Sequence, residues 1–296
     1  MQWSIIIPAF NDPHLTDCLH SLQRLEYAAS EYEVIVVDNH PTPTLQGLVA
    51  QFGYHYIHEP ETGSYRARNA GLIAAQGTYV AFTDSDCEVA ADWLHAFDSV
   101  LSNQNVAAGF GLAKGIPGNR IAEYEQHMYE ANIAQFTKPA DLQRIDTRNF
   151  AIKRAVYQRS GGFTPQFRFG GDMEYGARLH AAGQTIRYVP AAVVWHHNAE
   201  QLRPLLQKRL QQNYGNMFTT QLHDKPFVVC YFPHLLRYRR SPLTWILWWS
   251  LRCLAWLHFP FSDIIVRALP YGLGYRYFKL VNILAMRLGQ LSFIWR

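Results

Sequence analysis

"GSYRARNAGLIAAQGTYVAFTDSDC" (residues 63–87) decides how the rest of the chain is read. Its first half is helical in composition and closes at Gly77. Its second half, "TYVAFTD", reads as a buried strand that delivers Asp84 and Asp86 at its carboxyl end. A helix feeding a strand that ends in acids is a unit of a parallel α/β sheet, where ligands bind outside the carboxyl ends of the strands. Glu88 follows two positions on. Like charges so close repel unless a cation or a donor-rich ligand sits among them. A plain turn explains a bare Asp-x-Asp as well, because Asp and Ser are ordinary turn and cap residues.

The flanking segments repeat the alternation. "WSIIIPAF" (3–10) is a short apolar run ended by Pro8, and "NDPHLTDCLHSLQRL" (11–25) starts a helix with Asp12 as cap and Pro13 at the first helical position. Leu15, Leu19 and Leu22 share one face. "YEVIVVDN" (32–39) and "YHYIHE" (54–59) read as strands, and "AADWLHAFDSVL" (90–101) as a helix. Beyond residue 110 the pattern loosens. "NRIAEYEQHMYEANIAQF" (119–136) suits a helix, and "RNFAIKRAVYQRSGGF" (148–163) a strand, a short helix and a glycine turn. "GGDMEYGARLHAAGQTIRYVP" (170–190) predicts a helix from about Asp172 to Gly183, and "AAVVWHHN" (191–198) ends a last strand with two histidines. Pro8, Asp38 and Asp84 each stand at a strand's carboxyl end, so three strands aim at one crevice.

Composition bounds the rest. The chain has 296 residues, half of them apolar, which argues against disorder. From Gln201 onward there are thirteen Lys and Arg against two acids, a charge of +11. The first two hundred residues hold fourteen basic and twenty-one acidic residues, a charge of −7. The expected division is therefore a body at 1–200 and a basic, Trp-rich helical extension at 201–296. Four cysteines without C-x-x-C or zinc spacing fit reduced thiols, and "MQWSIIIPAF" lacks the basic n-region and long apolar run of a signal peptide.

The first strand-to-helix turn, "PAFNDPH", has no glycine, and "GFGLAKG" (109–115) has the wrong spacing, which excludes a dinucleotide fingerprint. The sequence contains no P-loop, G-x-S-x-G or H-E-x-x-H. Acids and histidines remain. Asp84 and Asp86 offer hard oxygens suited to Mg²⁺ or Mn²⁺, ions that take one or two carboxylates and complete their shell with substrate phosphates. Arg68 lies early on its helix, either reaching a phosphate or base or standing on the surface. His196 and His197 point to opposite sides of a strand, so at most one joins a shared site. A lone histidine is more often structural than a ligand. Asp172 after two glycines suits a helix N-cap, a position that also borders a crevice.

The ordered set "IIIPAFN", "VIVVDN", "GSYRARNAGLIAAQGTYVAFTDSDC", "GGF", "GGDMEYGARLHAAG" and "YVPAAVVWHH" resembles family 2 of the inverting GT-A-type glycosyltransferases over roughly residues 3 to 197. The resemblance implies a Rossmann-like, mostly parallel α/β sheet flanked by helices; the composition of the remainder adds a C-terminal amphipathic helical extension. It also implies a transfer of a single sugar from a nucleotide-diphosphate sugar, preferably a UDP-sugar, with Mn²⁺ or Mg²⁺. Pro8, Ala9 and Phe10 would then line the nucleotide base, Asp38 would read the base edge and Arg68 would stand beside the nucleotide. Asp84 and Ser85 would face the donor, with Asp84 at the ribose or the metal. Asp86 would hold the metal against both phosphates, with His196 as a further ligand, and Asp172 would be the catalytic base. Members often carry Glu-Asp where this chain has Gly171-Asp172, which leaves Glu174 as the other candidate base. The Q-x-x-R-W of processive synthases is missing from "QKRLQQNYG" (207–215), which favours transfer of one sugar over polymerisation.

"SPLTWILWWSLRCLAWLHFPFSDIIVRAL" (241–269) is apolar and Trp-rich but broken by Arg252, His258 and prolines. It suits an interfacial helix better than a spanning one, and "RYRR" (237–240) adds attraction to anionic lipid. A packed helical extension or an oligomer interface is the plainer explanation. The expected partners are a nucleotide-sugar donor, a glycan or lipid-linked acceptor, and an anionic membrane surface, with no nucleic acid. The expected location is the cytoplasmic side of the cell membrane. Two other functions share these features: a catalytically inactive fold of this type partnering another transferase, and a nucleotidyltransferase.

Overall fold

The computed structural model describes residues 1–137, 142–237 and 239–295, without the side chains of Phe136 and Arg237. Tyr238 of the basic run and the terminal Arg296 lie outside the described residues. The chain divides into two compact units, Met1–Ile116 with Ile133–His197, and Pro117–Asn132 with Asn198–Arg296.

The described strands all belong to the first unit: β1 (Trp3–Ala9), β2 (Tyr32–Asp38), β3 (His55–His58), β4 (Tyr79–Thr83), β5 (Cys87–Val89), β6 (Ala108–Gly115), β7 (Asn149–Lys153) and β8 (Ile186–His196). They form one sheet in the order β3-β2-β1-β4-β7-β6-β8-β5. The ladders β1–β2, β2–β3, β1–β4 and β6–β8 are parallel. β7 runs antiparallel between β4 and β6, and β5 antiparallel beside β8. The sheet is thus mixed, mostly parallel with an antiparallel section, and it agrees with the α/β sheet expected from the sequence. Residues on both faces of β1 and β2 are buried, including Ile5, Ile6, Ile7, Val34, Val36 and Val37, which is why these strands read as continuous apolar runs.

The first unit carries α1 (Leu15–Gln23), α2 (Gln46–Gln51), α3 (Ser64–Ala74) and α4 (Trp93–Leu101). Most of α5 (Arg120–Phe136) belongs to the second unit. α6 (Arg154–Ser160) and α7 (Gly171–Ala181) return to the first. Three local details differ from the sequence reading. α1 starts at Leu15, after His14, so Pro13 is not its first residue. Asp12 instead accepts the His14 N–H (2.9 Å) and the Ser85 hydroxyl (3.0 Å), so a tertiary bond occupies the would-be cap. α3 ends at Ala74, and Gly77 serves another purpose: a Cβ there would stand 2.6 Å from the β1 backbone at Ser4 and Trp3. The glycine-rich "GFGLAKG" lies in β6, between β7 and β8.

The second unit continues with α8 (Leu202–Asn216), α9 (Thr219–Leu222), α10 (Lys225–Tyr231), α11 (Pro242–His258), α12 (Ser262–Ala268) and α13 (Tyr271–Trp295). Tyr124, Leu202, Leu205, Leu206, Phe278 and Val281 form its core. α11 opens with a capping box at Ser241 and Thr244. Its side chains Leu243 and Trp256 are each 78% exposed, and Trp245, Ile246, Trp249 and Leu257 are exposed too. Among the described residues, no helix is long and apolar enough to cross a membrane.

Candidate active site

The ends of β1, β2 and β4 supply the first side of the site. Pro8 and Ala9 are buried at the end of β1, and Phe10 is half exposed with its ring 5.2 Å from that of His40. Asn11 turns the chain at a φ of 46°, and its side-chain oxygen accepts the Thr44 hydroxyl at 3.0 Å. Asp38 is fully buried. Its carboxylate accepts the N–H groups of His40, Thr44 and Leu45 (3.2, 2.7 and 3.0 Å) and the Tyr56 hydroxyl (3.0 Å). Burial works to raise its pKa, but these four donors more than offset it and hold the carboxyl below its ordinary value. Asp38 therefore also shapes the loop that follows β2.

The turn between β4 and β5 sorts its acids. Asp84 pairs with Arg68, which is only 3% exposed and lies over the Tyr65 ring at 5.4 Å. The surface alternative for Arg68 is therefore excluded. Ser85 gives its hydroxyl proton to Asp12. Asp86 Oδ2 lies 3.3 Å from His196 Nε2, and the Cys87 thiol lies 3.7 Å from Asp86 Oδ1. Glu88 leaves this group for Arg24 (3.2 Å) and His197 (3.8 Å), and His197 stacks on His14 with ring centres 3.7 Å apart. The two histidines part to opposite sides, as strand alternation requires.

Donor atoms of Asp86, Cys87 and His196 all lie within 4.8 Å of one another, a spacing that one divalent cation could bridge. The Thr83 hydroxyl, one residue before Asp84, is buried without a hydrogen-bond partner among the described residues. A carboxylate and an imidazole at 3.3 Å suit a divalent ion, so the residues present fit a metal. His14, Asp17 and His197 form a second close group. Its two rings are nearly parallel, at 10°, so no single point lies in the plane of both lone pairs.

The start of α7 completes the picture. Its N-cap is Gly170, left-handed at φ 84°, and Asp172 is the second helical residue rather than the cap. Gly171 is tied to its place because a Cβ would meet the Tyr65 ring at 2.8 Å. The Tyr65 hydroxyl donates to Asp172 Oδ1 (3.2 Å) and accepts the Asp172 N–H (3.1 Å). Burial, and then the charge of Asp146, push the Asp172 carboxyl above its ordinary value; the Met173 N–H, Arg68 and Tyr65 draw it partly back. Glu174 is 1% exposed and held by Arg178 Nε at 2.8 Å, with Thr164 donating at 3.2 Å. Its carboxylate faces the protein interior.

Tyr65 and Cys87 escaped the sequence reading. Tyr65 precedes Arg68 by three positions, hence one helical turn on the same face, which is the signal that would have found it. Asn69, the next residue, clasps the "GGF" turn by donating to Phe163 O (2.7 Å) and accepting the Phe163 N–H (2.9 Å).

The fold is that of a GT-A-type glycosyltransferase. The family model described as glycosyl transferase family 2 matches residues 4–161, and the chain belongs to that family. It is similar to the glycosyltransferase AglE of Haloferax volcanii, 27% identical over an alignment of 221 residues, with 72% of each protein covered. Its fold resembles that of a mannosyltransferase, PcManGT of Pyrobaculum calidifontis, solved with GDP-Man and Mn²⁺. The TM-score is 0.67 at 18% identity, over 99% of this chain and 87% of the other. It also resembles S. aureus TarS 1-349 in complex with UDP-GlcNAc, with a TM-score of 0.56 at 14% identity over 99% and 91% of the two chains.

Proposed function

We propose that this glycosyltransferase moves a single sugar, with inversion, from a nucleotide-diphosphate sugar to a hydroxyl of a glycan or lipid-linked acceptor. The observation that carries this reading is Asp86 within 3.3 Å of His196, beside the pair of buried Arg68 and partly exposed Asp84, at the carboxyl end of β4. Held by Asp86 and His196, Mn²⁺ or Mg²⁺ would neutralise the leaving diphosphate. Arg68 fixes Asp84 toward the donor. Asp172, aligned by Tyr65, takes the acceptor hydroxyl's proton in one in-line displacement, and inversion follows. The burial of Glu174 with Arg178 supports Asp172 over Glu174 as that base.

UDP is the favoured carrier in this reading, and both GDP and UDP donors occur among the solved neighbours. Calorimetric titration with UDP- and GDP-sugars, with Mn²⁺, with Mg²⁺ and with chelator, tests it. Binding of one nucleotide sugar that needs the cation is expected; full turnover in chelator would overturn the metal's part. A nucleotidyltransferase would release pyrophosphate, and an inactive partner would neither bind nor hydrolyse a donor.

The exposed apolar face of α11 supports a second element of the reading, contact with an anionic membrane surface on the cytoplasmic side. Trp245, Trp249 and Trp256 lie exposed on that helix, and the segment from residue 201 carries a charge of +11. Each basic residue near such a surface contributes about 1 kcal/mol, screened by salt. Flotation with anionic liposomes is expected at low salt, weakening as salt rises. Failure of the full chain to float would remove this element.

A further inference from the structure

We propose that Cys87 is a metal ligand, so that the site beside β5 binds a thiophilic divalent cation, zinc or cobalt, through Asp86, Cys87 and His196. The inference rests on the reading above only in taking this place as the donor's cation site.

Strand register makes the first argument. Cys87 stands directly opposite His196 in the β5–β8 ladder, so both side chains leave the sheet on the same face. Asp86, the residue before Cys87, brings its carboxylate to both: Oδ2 is 3.3 Å from His196 Nε2 and Oδ1 is 3.7 Å from the Cys87 sulfur.

Distance makes the second. Zinc holds oxygen and nitrogen at about 2.0 Å and thiolate sulfur at about 2.3 Å in a tetrahedron. Neighbouring donors around it then stand about 3.3 Å (oxygen to nitrogen) and about 3.5 Å (oxygen to sulfur) apart. The two observed separations lie within a few tenths of an ångström of these values but belong to different oxygens of the Asp86 carboxylate, so binding requires that carboxylate to present one oxygen to both partners; the three donor sets already lie within 4.8 Å of one another.

Donor chemistry makes the third. Carboxylate and imidazole alone suit Mn²⁺, whereas a thiolate shifts preference toward zinc and cobalt. The Cys87 proton passes to solvent as the sulfur binds. Three protein donors leave one position open, as in zinc sites that engage a substrate and unlike closed structural sites. The competing role for Cys87 is simply to donate its S–H to Asp86.

Cobalt titration of the nucleotide-free full chain separates these roles. A near-ultraviolet thiolate-to-cobalt band is expected in the parent and in Cys18→Ser and Cys230→Ser/Cys253→Ser variants, and is lost in Cys87→Ser. Calorimetry should show the zinc Kd of Cys87→Ser rising about tenfold or more, with the Mn²⁺ Kd changing by less than about twofold. Zinc-edge X-ray absorption of the parent complex needs no variant and should show one sulfur at about 2.3 Å. A band that survives Cys87→Ser, or a zinc shell without sulfur, overturns the proposal. A zinc shell without sulfur alongside normal Mn²⁺-dependent nucleotide binding would remove the ligand and leave the transferase reading standing. A sulfur shell without nucleotide binding would do the reverse.

Discussion

The acids at the β4–β5 turn and those at the start of α7 have different neighbours. At the turn, Asp84 has Arg68, Asp86 has His196 and Glu88 has Arg24 and His197 close by. On α7, Glu174 has Arg178 within hydrogen-bond reach, while Asp172 accepts from the Tyr65 hydroxyl and the Met173 N–H. Its carboxyl is accordingly raised above the usual range, first by burial and then by Asp146. An acid beside a permanent cation, as Asp84 is beside Arg68 and Glu88 beside Arg24, is stabilised in its charged form. Asp172, hydrogen-bonded by neutral donors and drawn back only in part by Arg68, keeps a raised carboxyl and is primed to take a proton. The comparison separates two acids on one helix that composition treats alike.

The comparison breaks most easily at Asp172. Asp172→Asn should slow sugar transfer by about 10²–10⁴-fold with the donor Kd unchanged, measured by steady-state assay and calorimetry. Asp86→Ala should weaken cation-dependent donor binding by about 10–100-fold while circular dichroism stays that of the parent. Tyr65→Phe removes one hydrogen bond to a charged group and should cost about tenfold in kcat with little change in donor KM. Its acidic pH limb should also move up, because the lost phenol proton had favoured the ionised carboxylate. Glu174→Gln should change kcat by only about twofold yet lower the denaturation midpoint, since Arg178 loses its buried partner. A dead Glu174→Gln with an active Asp172→Asn would invert the assignment.

The smallest effect concerns stability and its sign. A carboxyl whose folded pKa is raised contributes stability that is present below its unfolded pKa and is lost as pH rises through the folded pKa. At neutral pH, parent Asp172 is therefore a cost. Asp172→Asn should raise the Tm slightly near pH 7, and the gap should close as pH falls into the carboxylate range. A neutral or lowered Tm at pH 7 would show that Asp172 is better solvated than its neighbours suggest.

The parallel core was plain in the sequence because β1, β2 and β4 are buried on both faces and so read as unbroken apolar runs. β6 was not, since "AGFGLAKG" lacks β-branched residues. It is a strand because its neighbours pair with it and because Asn149 donates to Leu112 O (3.0 Å) and Ala192 O (2.8 Å), bridging β6 and the β8 segment. β5 is three residues long, too short to carry a pattern. The cap positions near Asp12 and Asp172 shifted for one reason: each side chain bonds to a residue far along the chain, Ser85 and Tyr65, and such partners leave no local trace.

What the sequence by itself determined is the family, the strand ends and the inventory of charge. Apolar runs, helix periods and Asp84-Ser85-Asp86 are local, and local spacing survives in one dimension. Tertiary structure alone decided the partners. Arg68 could lie on the surface or in a crevice until burial paired it with Asp84. Asp172 was preferred over Glu174 only through the family resemblance until Arg178 and Tyr65 took different sides. Cys87 was an unremarked thiol until an antiparallel ladder set it across from His196. Charge state and ligand geometry depend on what lies within a few ångströms in space, and pairing across more than a hundred residues of chain is settled only when the sheet closes.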